Sequence, residues 1–125
     1  MRLKRSRLKK CYHRQAIPKK DKEGSSYVEF GSAMPFQAEE WPAGGKVQTE
    51  MYGLRLPGIR NLRIEGDYTE VSAGGRRVGY QIEGGPLFCA GDGICLFVSP
   101  DSEPDYKIIA IYPHRFLTLE VEKRE

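Results

Sequence analysis

The sequence predicts a mainly β fold, a small single-domain β-barrel or sandwich with long Gly-rich loops and a basic N-terminal arm, on three observations. The 125 residues include 14 glycines and 8 prolines, breakers that would interrupt the helices of a bundle but suit a turn-rich sheet. The last third holds three short apolar stretches divided by turn signals, and the final one alternates, with Leu117, Leu119 and Val121 on one face and Thr118, Glu120 and Glu122 on the other. The formal charge of +3 is unevenly spread: residues 1–22 hold ten basic residues against Asp21, a net of +9, and residues 23–125 a net of −6. A chain of this length supports one domain with a modest core. No apolar run approaches the ~20 residues of a membrane span, and no signal-peptide core follows the basic start.

Taken in order, residues 1–22 read as a basic arm, with residues 10–17 a first strand of poor alternation. Such an arm follows a nucleic-acid backbone, rests on an acidic protein surface, or is simply solvated. Tyr12 is its only aromatic residue, so no stacking platform supports the nucleic-acid option. Residues 19–26 are polar and read as a loop. Residues 27–37, interrupted by Gly31 and Pro35, predict two short strands around a bend. Trp41 stands beside Pro42 and a Gly-Gly turn, where a tryptophan is either a core plug, the reading its usual burial favours, or an interface anchor. Residues 47–56 alternate like a strand, with a short helix as the alternative. Pro57-Gly58 marks a turn, and residues 61–64 begin another extended piece.

Residues 68–72 and 76–82 flank Ala73-Gly74-Gly75 as a β-hairpin, closed by Glu83-Gly84-Gly85-Pro86; the segment 69–86 is expected to project. Residues 94–98 predict a buried strand, 99–104 a loop, 105–112 a second strand, Pro113-His114-Arg115 a tight connection, and 116–123 a third strand pairing with the second.

The chemistry is sparse. The sequence has no Gly-x-Ser-x-Gly elbow, phosphate loop or His-Glu-x-x-His. Cys11, Cys89 and Cys95, an odd number without an export signal, read as free thiols in a reduced setting. Cys89 and Cys95 are separated by five residues, wider than the usual zinc knuckle, so no metal and no cofactor is expected. Ala90-Gly91-Asp92-Gly93 reads as a turn, His114 as a surface turn residue, and Glu39 and Glu40 as facing opposite ways. The chain reads as a binding or structural module rather than an enzyme.

Three pieces resemble a known family, the head-completion (head-closure or stopper) proteins of long-tailed bacteriophages and their prophages. The first is Phe30-Gly31-Ser32-Ala33-Met34-Pro35-Phe36-Gln37-Ala38, similar to the family's strand after its first loop. The second is Trp41-Pro42-Ala43-Gly44-Gly45-Lys46-Val47-Gln48-Thr49-Glu50-Met51-Tyr52-Gly53, similar to its Gly-rich turn and polar stretch ending in an aromatic residue and glycine. The third runs from Asp92-Gly93-Ile94-Cys95-Leu96-Phe97-Val98 through Asp105-Tyr106 to the closing strand, where an Asp-Tyr pair opens the penultimate strand. The segment 69–86 has no counterpart in that pattern, and the leader is more basic than the family leads one to expect.

The resemblance implies a small β-barrel that assembles as a ring under the portal or adaptor, closes the filled head and presents the tail attachment surface. Its implied partners are portal, adaptor and tail-completion proteins, further copies of itself and the packaged DNA, without a membrane. Its implied location is the virion connector, assembled in the host cytoplasm. On this reading Arg2, Lys4, Arg5, Arg7, Lys9 and Lys10 form the docking arm, and its removal, as residues 1–20, leaves a folded barrel. Gly74, Gly75, Arg76 and Arg77 form a channel or neighbour-contact loop, and Trp41, Met51 and Tyr52 an interface. The rival reading is a β-barrel nucleic-acid-binding module that uses the arm.

Overall fold

A computed structural model describes residues 5–72 and 78–124. Strands β1 (Leu8–Lys20), β2 (Ser26–Pro42), β3 (Ile59–Ile64), β7 (Gly93–Cys95), β8 (Tyr106–Pro113) and β9 (Leu117–Lys123) close a barrel in the order β1-β2-β3-β9-β8-β7. Strands β4 (Tyr68–Ser72), β5 (Val78–Ile82) and β6 (Leu87–Phe88) form a separate antiparallel sheet. One helix, α1 (Gly45–Tyr52), and a 3-10 turn (Gly53–Gly58) connect β2 to β3. The mainly β expectation holds, and the choice between barrel and sandwich resolves as a barrel. No helix among the described residues is long and apolar enough to cross a membrane.

The interior follows strand alternation. Leu62 of β3 opposes Leu119 of β9 in register, and both are fully buried with Ile64, Ile94, Ile108 and Val121. Phe88 of the second sheet inserts among them, edge-on to Phe36 at 5.0 Å between ring centroids and to His13 at 5.1 Å. Through Phe88 and the buried Ile82 the second sheet is docked on the barrel at its base. The β4–β5 hairpin predicted within residues 69–86 is therefore anchored at one end, and its turn lies outside the described residues.

The 1–22 arm is corrected. From Leu8 onward it is barrel strand β1, paired with β2 along its length and with β7 at Tyr12, His13 and Arg14. Alternation looks poor because only Cys11 and His13 are buried in the core, while Lys10, Tyr12 and Arg14 take the outer positions around them. Arg14 is structural: it donates to the carbonyls of Gly31 (2.7 Å), Phe30 (3.0 Å) and Ser102 (2.7 Å). The loop predicted over 19–26 shrinks to a turn whose Asp21 carboxylate accepts from the amides of Glu23 and Ser25 at 2.9 Å.

The two strands predicted within 27–37 are one, β2. Pro35 is accommodated where β1 alone borders the strand, so its missing N–H breaks no second ladder. The strand predicted over 94–98 ends at Cys95, because the Asp105 carboxylate takes the amides of Leu96 (2.8 Å) and Phe97 (3.0 Å) and turns the chain out of the ladder. Gly93 admits no side chain: a Cβ there would lie 2.5 Å from the Pro104 ring and 3.0 Å from Phe30.

Past Ala16 and Phe30 the barrel strands continue as a two-stranded ribbon. Its residues pair only with each other, from Ile17↔Glu29 to Lys20↔Ser26, since the pairing of β1 with β7 stops at Arg14 and that of β2 with β3 begins at Ala38.

Candidate functional site

The alternation over 47–56 is helical, which corrects the strand reading and selects its alternative. Val47 and Met51 recur at helical as well as strand-compatible spacing. The decisive residues are the flanking glycines. Gly45 and Gly53 adopt φ of 82° and 53°, the left-handed region that ends one element and starts another. Gln48 further ties the start, accepting the Gly44 amide at 2.9 Å.

The helix lies on the outer barrel wall over a row of side chains in register: Trp41 of β2 opposes Asn61 of β3, which opposes Glu120 of β9. Gln48 and Tyr52, one turn apart on the inner side of α1, reach this row. The Gln48 amide nitrogen donates to Glu120 (2.6 Å) and Asn61 (2.7 Å). The Tyr52 hydroxyl (2.8 Å) and the Tyr112 hydroxyl (2.6 Å) both donate to Glu120 Oε1. Glu120, expected on the exposed face of its strand, does point outward but is 2 % exposed because α1 covers it. Its carboxylate is held by neutral donors alone among the described residues. Arg55 grips Glu122 with two hydrogen bonds (2.9 and 2.7 Å), fastening the following 3-10 turn to β9 and drawing the Glu122 carboxyl below its ordinary range.

Beside this network opens a cleft of about 540 Å³, walled by Trp41, Val47, Met51, Tyr112 and His114 and floored by Gln48, Asn61 and Glu120. Trp41 and Met51 line it and Tyr52 supports its floor, so the three predicted interface residues meet at one place. Trp41 is half-buried on the outer wall, with the Arg63 guanidinium 5.1 Å from its ring, which corrects the core reading. His114 is an exposed turn residue stacked on Tyr112 at 5.9 Å. Its carbonyl accepts the Tyr68 hydroxyl. The outer side of α1 and of the 3-10 turn after it is apolar and unpacked: Val47 is 70 % and Met51 57 % exposed on the helix, and Leu54 101 % in the turn.

The network has a pH signature. Burial, then the hydrogen bond to Glu120, push the Tyr52 phenol above its ordinary 10.0. For Tyr112 the hydrogen bond to Glu120 is the larger cause and burial the second. Phenols that hold their protons more firmly when folded contribute stability that is complete below the unfolded value and lost as pH rises above it. Denaturant unfolding is therefore expected to fall in midpoint above about pH 10, and Tyr52→Phe to flatten that slope. A slope unchanged in Tyr52→Phe would refute this coupling.

A second cleft, about 670 Å³, lies at the base of the ribbon and includes His13, Met34, Cys89 and Asp92. The fully buried Asp92 accepts from His13 Nε2 (2.7 Å), the Cys89 amide (3.0 Å) and the Ala16 amide (3.0 Å). It thereby joins β1 to the turn before β7. The turn predicted at 90–93 is present, and the sequence reading missed that its carboxylate is a buried tether. The only local signal was an aspartate between two glycines.

Among the described residues no three His, Cys, Asp or Glu side chains gather as a metal site. No disulfide joins the three buried cysteines, and burial pushes the Cys11 thiol up to about 12, leaving it protonated and unreactive.

The proposed arm residues are dispersed. Arg5 and Arg7 are exposed, and Arg7 stands 3.8 Å from Glu39. The Lys9 ammonium lies 3.8 Å from the Phe97 ring centroid and that of Lys10 5.8 Å from Tyr12. Arg2, Lys4, Gly74, Gly75, Arg76 and Arg77 lie outside the described residues. Compared with protein-family models, curated proteins and solved structures, the chain finds no match.

Proposed function

We propose that this chain is a structural protein of a phage head-tail connector, a head-completion subunit that forms a ring under the portal or adaptor, closes the filled head and receives the tail. One observation carries the reading. A closed barrel offers no free strand edge for pairing, yet two appendages on it expose apolar surface. These are α1 and its following 3-10 turn, with Val47, Met51 and Leu54, and the β1–β2 ribbon, with Ile17, Tyr27 and Val28 at 36 %, 43 % and 52 % exposure. Two separate sticky surfaces on one rigid body suit a subunit that touches two neighbours, as ring subunits do. The order of elements that resembles head-completion proteins supplies the biological setting, a virion connector assembled in the host cytoplasm.

A nucleic-acid module is the weaker reading, because part of the leader's basic set is already engaged within the fold. Arg14 is spent on carbonyls, and Lys19 pairs with Glu29 at 3.0 Å.

The test is to mix the purified protein with DNA-filled, tailless heads and image them by electron microscopy. Added ring density at the portal exit, with DNA retained on dilution, is the expected result. Bare portals with leaking DNA, together with a gel shift of free duplex DNA that disappears at high salt, would instead favour the nucleic-acid module.

A further inference from the structure

The cleft beside α1 and the ribbon are complementary in both of their properties. The cleft has an apolar wall, Trp41, Val47 and Met51, and at its floor a carboxylate, Glu120, that has no cationic partner among the described residues. Buried carboxylates normally find one, so a cation arriving here meets an acceptor already desolvated and held in place. The ribbon carries the reverse. Tyr27 and Val28 are exposed, and the tip adds Lys20 and Lys22, which make no ion pair among the described residues, whereas the neighbouring Lys19 is paired with Glu29. The tip is pre-shaped by the Asp21 turn, so little ordering opposes its docking. Four residue pairs beyond the barrel give it a reach of roughly 13 Å.

We infer that the ribbon tip of one copy seats in the α1 cleft of a second copy, with Lys20 or Lys22 directed at Glu120 and Val28, on the same ribbon face as Lys20, against Val47 and Met51. The inference rests on the ring-forming reading above and names the contact through which the ring is built. The donor and acceptor surfaces differ, so the contact is head-to-tail, and each subunit gives a ribbon to one neighbour and a cleft to the other. A lysine stem suits the site because its methylenes lie on the apolar wall while the ammonium reaches the carboxylate.

The experiment mixes a Glu23→Cys chain with a Met51→Cys chain, adds a short bismaleimide, and reads the cross-linked heterodimer on a gel, both in concentrated solution and on tailless heads. The expected product joins positions 23 and 51. It falls roughly tenfold when Lys20→Glu and Lys22→Glu are added to the ribbon chain, since like charges then oppose each other at the cleft. Those substitutions are on exposed positions, and thermal melting checks that the barrel stays folded. Ring density on heads without the 23–51 product would overturn this contact and leave the connector reading standing. The 23–51 product in solution without joining to heads would uphold the contact and overturn the connector reading. A product insensitive to the lysine reversals would sink the charge pairing on which the inference depends.

Discussion

Deletion of residues 1–20 is expected to leave an unfolded chain, while deletion of residues 1–7 leaves the barrel intact. The leader is the strand that closes the barrel, standing between β2 and β7. Its loss removes Cys11 and His13 from the core, exposes the inner face of Phe88 and Phe36, and takes two of the three donors named above from the buried Asp92. Together these are comparable with the whole ~5–15 kcal/mol that holds a domain of this size. Circular dichroism and thermal melting of the two truncations check it. A cooperative melt near the full-length temperature for the 21–125 chain would mean that β1 is dispensable after all.

The substitution Asp92→Ala is expected to cost about 3–5 kcal/mol, near the upper end for a single site. The carboxylate, itself fully buried, satisfies the amides of Ala16 and Cys89 and the ring of His13. Truncation takes the carboxylate acceptor from these donors and leaves a void beside His13. Asp92→Asn keeps one acceptor oxygen and should cost distinctly less, about 1–3 kcal/mol. Urea unfolding of the three proteins orders them wild type, Asn, Ala. An alanine variant within about 1 kcal/mol of wild type would show that Asp92 is a passenger in the turn.

The β class, the C-terminal hairpin and the turn positions were legible because they follow from alternation and from Gly and Pro placement, which are local. Leu117, Leu119 and Val121 point inward as their spacing requires. The leader misled for a physical reason. Strand alternation is read from apolar residues, and on β1 the outer positions around the core are Lys10, Tyr12 and Arg14 while the buried inner ones are a cysteine and a histidine. The α1 segment misled differently, since Val47 and Met51 fit both periods and only the glycines at 45 and 53 separate helix from strand. The predicted interface residues Trp41, Met51 and Tyr52 rest on a family resemblance and on composition. What brings them together is Glu120, whose burial comes from an element nearly seventy residues earlier in the chain. No local pattern encodes such a cover: Leu-Thr-Leu-Glu-Val reads as a strand with a wet face whether or not a helix lies upon it. Asp92 was hidden in the same way, by partners in β1.

The early end of β7 has a mechanical consequence. With the Asp105 carboxylate holding the amides of Leu96 and Phe97, β7 offers three paired residues to β1 and two to β8. The opposite side of the barrel is knitted by five pairs between β3 and β9 and seven between β8 and β9. The cylinder is therefore stiff along one side and has a compliant seam along the other, where sub-global opening costs least. Load on the barrel can be taken up at that seam while the wall beneath α1 keeps its shape.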